Sequence, residues 1–193
     1  MNDRKTFLLA SGLLLLVVAV VGALWMSSRD VPSSMAEVGV DVRAAASDPA
    51  REAIPLDHPD PIPMTVYMSP QCGCCGLWVD HVKEHGFEPE VRYQDDMAEV
   101  KRTFRVPWEL SSCHTAIVNG YVIEGHVPGG DIRRLLAEAP GAHGLTVPGM
   151  PAGSPGMEMP DGRVDEYEVL TMGASGGTEV FARYGAVPPS RYR

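Results

Sequence analysis

Met64-Thr65-Val66-Tyr67-Met68, then Ser69-Pro70-Gln71, then Cys72-Gly73-Cys74-Cys75-Gly76-Leu77-Trp78-Val79 is the stretch that decides the fold. Its first five residues are β-branched, aromatic or apolar and read as a short strand, closed by the loop chemistry of Ser69-Pro70. Leu77, Trp78 and Val82 lead a helix that runs to His85 and is stopped by Gly86. Three cysteines therefore sit between a strand and a helix. Thiols at a helix N-terminus meet free backbone N–H groups and the positive end of the dipole, which favour thiolate.

Working outward, Val91-Arg92-Tyr93 reads as a second strand and Met97 to Arg105 as a short helix ending before Pro107. Thr115-Ala116-Ile117-Val118 and Tyr121-Val122-Ile123 are strands joined by Asn119-Gly120, a strong two-residue hairpin signal. Asp131 to Ala139 has Ile132, Leu135 and Leu136 at helical spacing. The order β-α-β-α-β-β-α predicts an α/β fold: a thioredoxin-like mixed sheet with flanking helices. Ala142 to Gly162 is rich in Gly, Pro and Met and reads as loop. Tyr167 to Met172 and Glu179 to Tyr184 predict a C-terminal β-hairpin.

Upstream, Arg4 and Lys5 precede an uncharged apolar run from Phe7 to Met26. About 20 such residues are the length of a transmembrane helix. The flanking positive charge predicts an N-terminus inside and the remainder exported. A cleaved signal peptide is the alternative, and Val21-Gly22-Ala23 is a weak match to its cleavage site. Residues 29–62 carry scattered Ala, Pro, Ser and charge and read as a flexible linker. The expected organisation is an anchor or signal sequence over 1–28, a linker over 29–62 and a domain over 63–193. The expected location is periplasmic (extracytoplasmic), tethered to the inner membrane by residues 7–26. The formal net charge of −9 argues against a nucleic-acid partner.

The chain has four cysteines. A disulfide framework would spread them to close loops, whereas crowding points to metal binding or redox chemistry. Cys72 and Cys75 form the C-x-x-C pair of a redox centre. Cys74 inside that motif would compete in exchange, yet it helps a metal site. Soft thiolates select Cu(I), zinc or iron–sulfur centres. The hairpin places the fourth thiol. If Asn119-Gly120 is a two-residue turn, Val118 meets Tyr121, and counting outward Cys113 meets His126. Opposed side chains have Cβ atoms roughly 4.5–5.5 Å apart. In thioredoxin-like folds a cis-proline usually stands here beside the C-x-x-C loop. This chain has Ser112-Cys113-His114 instead, which favours metal over disulfide exchange. Strand alternation points His114 to the opposite face, unless a loop redirects it. Met150 and Met157 in the Gly/Pro-rich segment offer thioethers suited to Cu(I). Met64 and Met68 read as core. His81 and His85, at i and i+4, read as a solvated pair.

Together with Gly120-Tyr121-Val122-Ile123-Glu124-Gly125-His126-Val127-Pro128 and Val147-Pro148-Gly149-Met150-Pro151, the motifs around Cys72 and Cys113 resemble the CopG-type periplasmic copper-resistance family. The resemblance covers about residues 64 to 184. It implies a thioredoxin-like fold, copper resistance, and Cu(I) held as a cysteine-bridged cluster by Cys72, Cys74, Cys75 and Cys113. His126, His114, Met150 and Met157 are the further candidate ligands. Copper-export or copper-carrier proteins are the expected partners. The competing expectations are a thiol–disulfide oxidoreductase using Cys72 and Cys75, and a zinc site of three cysteines and a histidine.

Overall fold

The computed structural model describes residues 51–174 and 176–185. The apolar run at 7–26 lies outside them, as does most of the 29–62 segment. Among the described residues, no helix is long and apolar enough to cross a membrane.

The elements are β1 (Ile62–Met68), α1 (Gly73–Glu84), β2 (Phe87–Tyr93), α2 (Met97–Thr103), a 3-10 turn at Trp108–Leu110, β3 (His114–Val118), β4 (Tyr121–Glu124), α3 (Gly129–Glu138), β5 (Ala142–Thr146), β6 (Tyr167–Gly173) and β7 (Thr178–Tyr184). They build a mixed α/β fold on one seven-stranded sheet, ordered β2-β1-β3-β4-β5-β6-β7. β1 pairs with β2, and β4 with β5, in parallel. The β1–β3, β3–β4, β5–β6 and β6–β7 pairs are antiparallel.

Alternation along the strands divides the core into two layers. Ile62, Met64, Val66 and Met68 of β1, with Ala116, Val118, Tyr121 and Ile123, pack under Trp78, Val79 and Val82 of α1 and Ile132, Leu135 and Leu136 of α3. On the other face, Val122, Met172, Tyr67 and Ile117 meet Val100 and Phe104, at and just beyond α2. Met64 and Met68 are core, as expected. The Asn119-Gly120 turn has φ of 45° and 74°, the two positive values of a type I′ hairpin. It gives the expected register, Val118↔Tyr121 out to Thr115↔Glu124.

Two expectations need correction. The first helix begins at Gly73, not at Leu77, so Cys72 is its N-cap residue and Cys74 and Cys75 lie within its first turn. The Gly/Pro/Met-rich region opens with a strand, β5, which joins the C-terminal hairpin to the main sheet. β5 is hard to read because it contains Gly144, where a Cβ would stand 1.7 Å from Val122 O. Only glycine allows that approach to β4.

Residues 51–56 lie against the folded body. Arg51 donates to Ala142 O and Gly120 O, Ile54 N–H to Leu136 O, and Arg133 to Leu56 O.

Candidate metal centre

The centre forms where the N-terminus of α1 meets the start of β3. Cys72 and Cys75 are joined as a disulfide, with their Cα atoms 5.4 Å apart. Cys74 and Cys113 are free thiols. Cys72 Sγ is 3.6 Å from Cys74 Sγ, and Cys75 Sγ is 3.5 Å from Cys113 Sγ. All four sulfurs lie within 4.8 Å of one another. Four thiolates at about 2.3 Å from one tetrahedral metal would be about 3.8 Å apart. The Cys72–Cys74 and Cys75–Cys113 pairs are near that spacing already; the Cys72–Cys75 pair has to open. Cys72 stands at the N-cap of α1 and makes no side-chain cap bond to the helix.

Cys113 is brought here by the hairpin. Its Sγ lies 3.0 Å from His126 Nε2, the partner that register counting assigns to it. The ladder itself ends two pairs earlier, at Thr115↔Glu124, with Gly125 N–H donating to His114 O beyond it. His114 is also at the site: its Nδ1 is 3.2 Å from Cys113 Sγ. The simple alternation argument fails because Cys113 precedes the first residue of β3 and is free of the pleat. His114 itself obeys the pleat. It faces α1, with its ring 4.3 Å from the Trp78 ring and 5.1 Å from that of His126.

Burial sets the protonation of this group. Desolvation, reinforced by the neighbouring Cys74, pushes the Cys113 thiol up to about 12. Desolvation first, then the nearby His126 and Lys101, holds His114 well below the ordinary histidine range. Desolvation likewise lowers His126, although its bond to Pro155 O opposes the shift. The metal-free centre therefore holds a protonated Cys113 between two neutral imidazoles at neutral pH.

The Gly/Pro/Met-rich segment closes over the centre. Gly149 N–H donates to Ser111 O and Ser112 Oγ to Gly149 O. Pro155 O accepts from His126 Nδ1 at 2.8 Å. Gly156 rests on the first turns of α1, against the backbone of Cys74 and Trp78. Met157 is half-buried beside it. Met150 is 53% exposed and lines a groove with Pro148, Pro151, Glu166 and Tyr167.

Sequence reading missed the buried polar group behind Cys113. Glu124 is fully buried and accepts from Lys101 Nζ, from Thr115 Oγ1 at 2.6 Å and from Ser112 N–H at 2.6 Å. It thereby fixes the backbone one residue before the thiol. The signal available was Glu124 itself, a charged residue ending an otherwise apolar strand. The His81–His85 pair is not simply solvated. His81 Nε2 accepts from Gly129 N–H at the start of α3, and His85 Nδ1 bonds His81 O. His143 is bound to Phe104 O on the other face.

A family model described as a protein of unknown function, DUF411, matches residues 110–157, the span from the 3-10 turn through Cys113, His114 and His126 to Met157. No curated protein sequence matches the chain. Two solved structures do, described as copper resistance protein CopG, forms 2 and 1. Each is 42% identical with a TM-score of 0.62; they cover 65% and 66% of this chain, and 99% and 100% of their own. A likeness that spans essentially the whole of those proteins at this identity places the chain in the family that its cysteine motifs resemble: it belongs to the CopG family of copper resistance proteins.

Proposed function

We propose that this protein is an extracytoplasmic copper-binding protein of copper resistance, holding Cu(I) as a cysteine-bridged cluster on a thioredoxin-like scaffold. The observation that carries the reading is the convergence of four sulfurs within 4.8 Å from two separate chain segments. Thiolate is the ligand class that selects Cu(I), and sulfurs this close can each bridge two ions. The names of the two similar structures support copper as the cargo. The β2-β1-β3-β4 order, with β3 antiparallel to its neighbours, supports the thioredoxin-like description. His126 and His114 border the cluster through Cys113, and Met157 directly follows Gly156, whose backbone rests on α1. The run at 7–26 anchors the chain in the inner membrane, and residues 29–50 tether it within reach of copper carriers or exporters.

Cuprous binding by all four cysteines requires two electrons to open the Cys72–Cys75 bond, so loading starts from the reduced chain. The test is anaerobic Cu(I) loading of the reduced full chain and of a Cys72→Ser, Cys75→Ser double variant. Retention of one or more copper ions per wild-type chain, and loss of that retention in a folded variant, is expected. Unchanged copper retention in the variant refutes the cluster.

The Cys72–Cys75 disulfide favours a second reading, a thiol–disulfide oxidoreductase. Under it the reduced pair would reduce a test disulfide at a rate independent of copper and insensitive to Cys74→Ser.

A further inference from the structure

Cys113 belongs to two ligand groups at once. It is one of the four sulfurs, and its Sγ also lies within 4.8 Å of a ring nitrogen of both His114 and His126. Both imidazoles are fully buried. Their protons do not balance. Pro155 O can only accept, so His126 Nδ1 carries the hydrogen and Nε2 turns its lone pair toward Cys113 Sγ. A backbone carbonyl that fixes the tautomer from behind is the arrangement found around metal-ligating histidines. His114 Nδ1 faces the same sulfur, while its Nε2 has no hydrogen bond of normal geometry, although the Gly125 backbone interacts with the ring. One S–H proton satisfies one lone pair. Whichever tautomer His114 adopts, one nitrogen of the His114–His126 pair keeps a buried lone pair without a donor, which is costly. A cation among the three atoms removes that cost.

The disulfide separates this group from the thiol cluster. With Cys72 and Cys75 bonded to each other, the four-sulfur group loses two ligands, whereas Cys113, His114 and His126 lose none. We propose that Cys113, His114 and His126 form a sulfur–nitrogen site for a borderline divalent cation such as zinc or cobalt, available while the Cys72–Cys75 disulfide is intact. One thiolate with two imidazoles suits such ions, in contrast to the all-sulfur set that selects Cu(I). On binding, the Cys113 S–H bond breaks, its proton passes to solvent and a metal–sulfur bond forms. The imidazoles donate as neutral ligands. Metal–sulfur and metal–nitrogen bonds of about 2.3 and 2.0 Å set a tetrahedral S···N separation of about 3.5 Å. The rings therefore withdraw from their 3.0 and 3.2 Å positions by a few tenths of an ångström. Cys74, the other free thiol, neighbours Cys113.

The full chain in a mild detergent, oxidised to the Cys72–Cys75 disulfide, is titrated anaerobically with Co(II) alone and then with Zn(II) in competition. One Co(II) per chain is expected, with strong thiolate-to-cobalt charge transfer and tetrahedral ligand-field bands that Zn(II) abolishes. His126→Gln weakens binding at least tenfold, and Cys113→Ser removes the charge-transfer band. X-ray absorption of the wild-type cobalt form is expected to show sulfur and imidazole nitrogen together in the first shell, a readout independent of how the variants fold. A disulfide form that gives no charge-transfer band, or a cobalt shell lacking either sulfur or imidazole, overturns the proposal. Cu(I) loading of the reduced chain is a separate measurement; its failure would remove the cuprous reading and leave this site standing.

Discussion

Replacing Lys101 by Met removes the cation from a carboxylate that has no route to water. The Glu124 side chain is 0% exposed and that of Lys101 10%. Breaking such a pair from one side costs roughly 3–5 kcal/mol, because a charge is left buried and uncompensated. Ser112 N–H and Thr115 O–H still donate to Glu124, so the lower end applies, about 3 kcal/mol. For a body of this size that is a fall in Tm of roughly 10 °C. Methionine matches the lysine stem in volume, so little of the loss is packing. The assay is urea unfolding of the metal-free chain at neutral pH. The double variant Lys101→Met, Glu124→Gln removes the stranded charge while keeping an oxygen for Ser112 N–H. It is expected to recover more than half of the loss. A cost below about 1 kcal/mol for Lys101→Met, or a double variant no more stable than the single, would refute the claim that Glu124 is a buried anion held by Lys101.

Gly156→Ala puts a Cβ 2.7 Å from Trp78 N and 2.8 Å from Cys74 O, at a φ of +82°. Both obstacles are backbone, so the loop has to lift from α1. A loss of about 2 kcal/mol or more in chemical unfolding is expected, with faster alkylation of Cys113. The metal-free chain is also expected to lose stability on acidification. His114 is neutral in the fold, because burial holds its affinity for protons well below the ordinary histidine value of 6.5. The unfolded chain therefore binds the extra proton first, and the histidine's contribution is complete above pH 6.5. It falls by up to about 1.4 kcal/mol per pH unit below that, until the folded-state value is reached. Unfolding free energies measured between pH 7 and 5 check this, and an equally steep profile in His114→Phe would contradict it.

What the sequence made legible were features with local rules. A type I′ turn at Asn119-Gly120 fixes register, so the meeting of Cys113 with His126 follows from counting. Helical spacing at Ile132, Leu135 and Leu136 identifies α3. What stayed hidden depends on partners distant in sequence. Lys101 and Glu124 are charged residues, and only the fold brings them together, 23 positions apart, beneath α2. β5 lacks an apolar run because its place beside Val122 requires Gly144. His81 reads as surface, since its bond to Gly129 N–H exists only once α3 docks. His114 needed knowledge of where β3 starts: a strand beginning one residue later would have left it in the loop with Cys113.

The Gly/Pro/Met-rich segment has a structural task that its methionines obscure. It touches three sides of the centre through its backbone: Gly149 at Ser111 and Ser112, Pro155 at His126, Gly156 at the first turns of α1. Three cysteines on one helix mouth are cheap to assemble, since they are neighbours in the chain. Cys113 arrives from 38 residues away, and without restraint the entropy of holding that arm would weaken any metal it shares. Glu124 restrains the arm from beneath the sheet, and the Gly/Pro segment restrains it from above. Glycine and proline suit this clasp because the segment makes these contacts with its own backbone, and at Gly156 the approach to α1 leaves no room for a side chain. In the proposed metal site, the segment would add to affinity by fixing Cys113 and the His126 tautomer, whether or not any of its thioethers reaches the metal.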